Sequence, residues 1–297
     1  MLFAILAGAN TIGSIPLILS LVKKMATDPG AAADFSQNPG NLSLLGIEPN
    51  LGLLMMLLPF VAGLIAFILL IKPIHGRTFE MIINGTGKIR WKRFFISALV
   101  WFFISALYLI IYQKVDPGNF SINNNSKTLI LLILISLLFI PFQAALEEVV
   151  FRGYLMQGFA VIVRKRWFPL VMTSVLFGLL HSFNPEVKDF GFFTMMPHYI
   201  IFGLIFGVIT ILDDGIEAAM GAHAANNIFL CIMVTHESST LQTASIYEQH
   251  NVYPWTEFLG LLLTGILFIF TLKILFRWGD FSPLSAKIEA KPVNQVP

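Results

Sequence analysis

The sequence predicts an all-α fold, a polytopic membrane helix bundle of about eight transmembrane helices. Three observations carry this. Of 297 residues, 56% are hydrophobic and only 12% charged, against roughly 25% charged in an ordinary soluble domain. The apolar residues gather in long runs, and runs of ~17–25 residues cross a bilayer as helices. The single cysteine, Cys231, lies inside such a run, so there is no disulfide framework and no CxxC site.

The runs fall at about 2–22, 51–71, 94–112, 128–150 (continuing helically to about 162), 168–183, 197–212, 216–234 and 256–276. The first begins MLFAILAGAN without a basic leader, and its nearest small-residue cluster, Ala31–Ala33, lies well past the apolar stretch. It therefore reads as a retained helix, not a cleaved signal. The segments 25–50 and 114–127 are rich in Pro, Gly and Asn and read as turns, the former with an interfacial piece. The chain divides into N-terminal helices with loops (1–127), a core of four helices (128–234), an outer loop with the last helix (235–279) and a polar, disordered tail (280–297).

Charge gives orientation. Lys72, Arg77, Lys88, Arg90, Lys92 and Arg93 crowd one loop, Arg164, Lys165 and Arg166 another, and Arg277, Lys287 and Lys291 the tail. With eight spans these share one side, which the positive-inside rule makes cytoplasmic, together with both termini. Lys23 and Lys24 fall on the opposite side. Composition and charge imply the lipid bilayer as a partner; nothing points to nucleic acid.

Ionisable groups inside spans cost ~2.5 kcal/mol or more, so they line a polar cavity or pair with one another. In QAALEEVVFRGYL, Glu148 and Arg152 are i, i+4 neighbours with the glutamate N-terminal, the favoured order for an ion pair. Glu147 has Phe151 at its own i+4 position and is left to accept a proton. Phe177 and His181 share a face in LFGLLHSF, as do His223 and Asn227 in AAMGAHAANN, where histidine and carboxamide offer two donors to a developing oxyanion. His198 reads as interfacial or structural; His75, His236 and His250 read as solvated loop residues. Gly203 and Gly207 form a GxxxG spacing that packs helices.

Taken in order, EEVVFR (147–152), FGLLH (177–181) and HAANN (223–227) match EExxxR, FxxxH and HxxxN. The set resembles the CPBP family of intramembrane proteases, which includes type II CAAX prenyl endopeptidases and bacteriocin-processing and self-immunity proteins. The resemblance covers about 128–234 and implies an eight-helix bundle with a glutamate-dependent site in a cavity open to the cytoplasm. It implies that Glu147 and His181 activate water, that His223 and Asn227 stabilise the oxyanion, and that Glu148, Arg152 and Phe177 support them. The segment LDDGIEAAM before His223 departs from the family's basic or Thr-Gly turn, which bears on the substrate.

No GxSxG elbow accompanies Ser174 or Ser182. No cofactor is implied, although Glu147, Glu148, His181 and His223 are all acceptable zinc ligands and zinc stays open at this stage. HExxH is absent. Two readings from other classes remain: a proton-coupled transporter using Glu147, His181 and His223 as a relay, and a non-catalytic immunity or binding protein.

Overall fold

The computed structural model describes residues 1–37, 42–123 and 126–288. Helices α1 (Leu2–Gly13) and α2 (Ile15–Thr27) meet at a 53° bend. Pro16, in the first turn of α2, cannot donate the hydrogen bond that would continue α1. Gly13 lets the bend rest on the next long helix, since a Cβ there would come within 2.5 Å of Pro59 Cα. After α3 (Pro29–Gln37), α4 (Pro49–His75) opens with Glu48 accepting from Leu51 N at 3.0 Å and closes on Gly76 in the left-handed region, φ 67°.

The remaining helices are α5 (Phe79–Ile83), α6 (Trp91–Val115), α7 (Ser126–Glu148), α8 (Met156–Ile162), α9 (Trp167–Leu180), α10 (Pro185–Phe190), α11 (Phe192–Asp213), α12 (Glu217–Met233) and α13 (Pro254–Phe276). A π-helical turn over Val149–Leu155 joins α7 to α8, so 128–162 runs as one long helix. A small sheet, not anticipated from the sequence, adds β1 (Phe120–Ile122), β2 (Val234–Thr235) and β3 (Tyr247–Gln249). The central strand β3 pairs antiparallel with β1 and parallel with β2.

The chain is a multi-pass membrane protein, and among the described residues fewer than eight helices are by themselves long and apolar enough to span a bilayer. Five helices are long and apolar enough to cross: α4, α6, Thr128–Ile162, α11 and α13; the bent α1–α2 pair makes six. Helix α9 has 14 residues, ~21 Å at 1.5 Å per residue, short of the ~30 Å hydrocarbon core. Helix α12 has 17 residues, and Glu217, His223, Asn226 and Asn227 dilute its apolar character. Its first nine residues, 217–225, are all buried. Enclosed by protein instead of lipid, α12 needs no uniformly apolar surface.

Helix α12 packs most extensively against α6. Gly221 makes this possible: a Cβ there would lie 2.1 Å from Phe94 O. Trp101, Phe206, Ile209, Phe268 and Leu272 fill the core between α6, α11 and α13. The GxxxG pair does pack helices, since a Cβ on Gly203 would meet Ser174 Cα at 2.7 Å and one on Gly207 would meet Leu170 Cδ1 at 2.4 Å.

The two ends of the bundle differ. One gathers the basic loops, and there residues 286–288 run beside 164–166 through Arg166 N to Ala286 O (3.1 Å) and Ile288 N to Arg164 O (3.0 Å). The tail read as disordered from 280 is thus ordered to 288, where backbone pairing holds it. Its remainder, with Lys291, lies outside the described residues. The other end carries the sheet, with Lys24 paired to Asp28 at 3.1 Å. His236 sits there half-buried beside β2, not solvated as its sequence position suggests, and burial holds its pKa below the usual histidine value. His75 is exposed and 3.1 Å from Tyr154 Oη, and His250 is exposed. His198 is structural: its Nε2 lies 2.8 Å from Pro254 O.

Candidate active site

The site begins where α7 gives way to the π turn. A π turn displaces the residues that follow it relative to an α-helical register, and such turns concentrate at functional sites. Glu148 and Arg152 straddle this junction and keep their i, i+4 contact, with Arg152 Nη1 donating to Glu148 Oε1 at 2.9 Å. Both side chains are fully buried. Arg152 Nη2 also donates to Gly203 O at 3.1 Å, across the close approach that Gly203 permits. Its guanidinium lies 4.5 Å over the Phe177 ring, which gives Phe177 its supporting place.

Glu148 has a second partner that helical spacing alone does not reveal. His223 Nδ1, from α12, lies 2.7 Å from Glu148 Oε1. Because an ionised carboxylate only accepts, Nδ1 carries the hydrogen and Nε2 is the free position of the ring. That Nε2 lies 3.6 Å from Glu147 Oε2, just beyond a hydrogen bond. Phe206 stacks on the His223 ring at 5.1 Å and Phe177 meets it edge-on at 5.9 Å, fixing its plane.

Glu147 is buried, and its two oxygens differ. Oε1 accepts from Gln143 Nε2 at 2.6 Å, one turn back on α7. Oε2 is buried without a hydrogen-bond partner. Gln143 Oε1 accepts in turn from Asn227 Nδ2 at 2.9 Å, which brings the fourth motif residue to the same carboxylate. Gln143 is a residue the sequence reading passed over, although its place four residues before Glu147 in an apolar run was a usable signal.

His181 closes α9 and is half-buried. Its Nδ1 lies 2.7 Å from Phe177 O and must donate to that carbonyl, leaving Nε2 as the basic nitrogen. The ring stacks on Tyr199 at 4.6 Å and 18°, and Phe177 lies 4.7 Å away. Tyr199 Oη accepts from Asn184 at 3.2 Å and donates to Glu186 at 3.4 Å, while Glu186 accepts from Thr240 N and Oγ1 at 2.8 and 2.7 Å. Phe177 thus touches both histidines, and through His223 the set Glu147, Glu148, Arg152, His181, His223 and Asn227 forms one connected cluster.

The acidic segment before His223 turns away from this cluster. Glu217 pairs with Arg90 at 2.6 Å and accepts from the Asn84 amide; Asp213 pairs with Arg90 at 3.1 Å and Arg93 at 2.9 Å and accepts from Trp278 Nε1 at 2.8 Å. Gly215 clears the way, since a Cβ there would lie 2.1 Å from Arg90 Nη2. These acids tie α6, α11, α12 and α13 together; only Asp214 of the three is exposed. Among the described residues, no group of three or more His, Cys, Asp or Glu side chains is arranged to hold a metal ion.

Residues 126–229 match the family described as Type II CAAX prenyl endopeptidase Rce1-like. An uncharacterized protein, YyaK of Bacillus subtilis (strain 168), is 27% identical over 238 residues, 80% of this chain and 77% of that protein. No solved structure matches. The match covers every motif residue of the site, so over residues 126–229 the chain is similar to the Rce1-like type II CAAX prenyl endopeptidase family.

Proposed function

We propose that the protein is an intramembrane endopeptidase that hydrolyses a peptide bond in a membrane-associated substrate, a prenylated CAAX tail or a leader peptide, without a covalent intermediate. The observation that carries this is Glu147 Oε2, a buried carboxylate oxygen with no partner, 3.6 Å from His223 Nε2. A buried acceptor left open costs free energy unless something donates to it, and water is the donor that peptide hydrolysis requires.

In this reading Glu147 removes the proton from water as it attacks the carbonyl, and His181 Nε2 orients that water. The buried cluster holds two carboxylates, Glu147 and Glu148, against one guanidinium, Arg152. Arg152 and the His223 ring are the groups that face these two carboxylates. His223 and the second N–H of Asn227 then stabilise the oxyanion, and Glu148 keeps His223 in register. Glu147 afterwards delivers its proton to the leaving amine. The end that carries Arg77, Arg90, Arg93 and Arg164–Arg166 faces the cytoplasm by the positive-inside rule.

The test is cleavage of a quenched fluorescent peptide panel, farnesylated CAAX tails included, by detergent-purified wild type and Glu147→Ala. Cleavage by wild type that disappears in a normally inserted Glu147→Ala supports the reading. Equal cleavage by both, or none by either, moves the assignment to an immunity, binding or proton-relay protein.

A further inference from the structure

A single line of hydrogen bonds runs into Glu147 from a helix outside the three motifs. Trp101 Nε1 on α6 donates to Asn226 Oδ1 at 3.2 Å; Asn226 Nδ2 donates to Asn227 Oδ1 at 2.9 Å. Asn227 Nδ2 donates to Gln143 Oε1 at 2.9 Å, and Gln143 Nε2 donates to Glu147 Oε1 at 2.6 Å. The direction of this line is forced. An indole N–H can only donate and a carboxylate can only accept, so each of the three intervening amides has one allowed orientation. All four bonds point towards Glu147, the arrangement in which successive bonds polarise one another.

The far end is anchored. Trp101 is 3% exposed and meets Phe268 edge-on at 4.8 Å, inside the core of α6, α11 and α13. The near end takes up one carboxylate oxygen, Oε1, and leaves the other, Oε2, open towards His223. Asn227 commits one amide hydrogen to Gln143 and keeps the second.

We propose that Gln143, Asn226 and Trp101 are positioning residues that hold Glu147 and Asn227 as one rigid unit, fixing which carboxylate oxygen acts as base and where the oxyanion donor points. Its catalytic consequence rests on the endopeptidase reading; the chain itself does not. Gln143→Met keeps the length of the side chain and removes both bonds, while Trp101→Phe keeps a packed ring and removes only the first donor. A charge-assisted bond is worth enough for a roughly 10- to 100-fold fall in kcat in Gln143→Met, with KM moved less than about twofold. Trp101→Phe lowers kcat about three- to tenfold, and the double variant is no slower than Gln143→Met alone, because one chain is cut once.

The activity-independent arm uses the indole N–H resonances of the five tryptophans, with Trp101 assigned by its loss in Trp101→Phe. Its signal shifts in Gln143→Met, three bonds along the chain. An unmoved Trp101 signal, multiplicative losses in the double variant, or a loss expressed in KM overturns the proposal. Should Gln143→Met fail to fold, Asn226→Ser cuts the chain two links earlier, and the same indole shift and non-additivity with Trp101→Phe are required. A Trp101 indole that shifts in Gln143→Met, when the wild type cleaves no peptide, sustains the chain and sinks the endopeptidase reading.

Discussion

Replacing Gly221 by alanine tests how closely the site depends on the α6–α12 contact. The new Cβ would stand 2.1 Å from Phe94 O, 2.8 Å from Phe94 C and 3.0 Å from Phe94 Cα. All three are backbone atoms, so no rotamer change relieves the overlap. Restoring an ordinary carbon–oxygen separation of ~3.2 Å displaces α12 from α6 by about 1 Å. His223 lies two residues along α12, and its Nδ1 is 2.7 Å from Glu148. A 1 Å displacement takes that bond to ~3.7 Å, past hydrogen-bonding range. Overpacking of this kind costs ~1–3 kcal/mol, and misplacement of a reacting group by 1 Å can cost about 100-fold in rate. Gly158→Ala is the control: no atom lies within 4 Å of its Cβ, and it lies in helix α8, so it should be neutral or stabilising by up to ~1 kcal/mol. Denaturant unfolding in detergent and peptide cleavage read both variants. Gly221→Ala as stable and active as Gly158→Ala would refute the reasoning.

Three further predictions follow from other contacts. Arg90→Met leaves Glu217 and Asp213 buried with a charge uncompensated, and should destabilise by about 3 kcal/mol in denaturant unfolding; the conservative Arg90→Lys should recover only part, since it cannot bind Glu217 in two places. His236 is held neutral by burial, with its folded pKa below the unfolded value near 6.5, so the unfolded chain binds more protons under acid. Stability should therefore be full above pH 6.5 and decline as pH falls from there through the folded pKa, a decline that His236→Gln should shrink in thermal melts. Tyr199→Phe should keep the stack on His181 and most of kcat, whereas Tyr199→Ala should lose roughly tenfold by freeing that ring.

Much of the site was legible because helical periodicity places i, i+4 pairs. Glu148 with Arg152, and Phe177 with His181, are such pairs and occur as read. What the sequence hid were contacts between helices: His223 to Glu148, and Asn227 to Gln143, span 75 and 84 residues, and no local pattern encodes them. Hydropathy tells that a segment avoids water but not whether lipid or protein surrounds it, so the burial of α12 along 217–225 was not legible in its apolar run. Residues 2–22 read as one helix in sequence, whereas Pro16 and the packing of Gly13 on Pro59 make a 53° bend there. The small sheet escaped because strands of two or three residues carry no periodicity. The acids at 213 and 217 stood out in sequence only as a departure from the family's turn, because their partners, Arg90 and Arg93, lie more than 100 residues away.

The central claim is that Glu147 activates water directly, and the most direct test is the rate of peptide cleavage by wild type and Glu147→Gln, each with and without a strong zinc chelator. Glu147→Gln replaces one acceptor oxygen with an amide of the same shape, so inserted, folded protein is retained while the base is lost. The account predicts cleavage by wild type that the chelator leaves unchanged and that Glu147→Gln lacks. Chelator-sensitive cleavage, restored by added zinc, would contradict it.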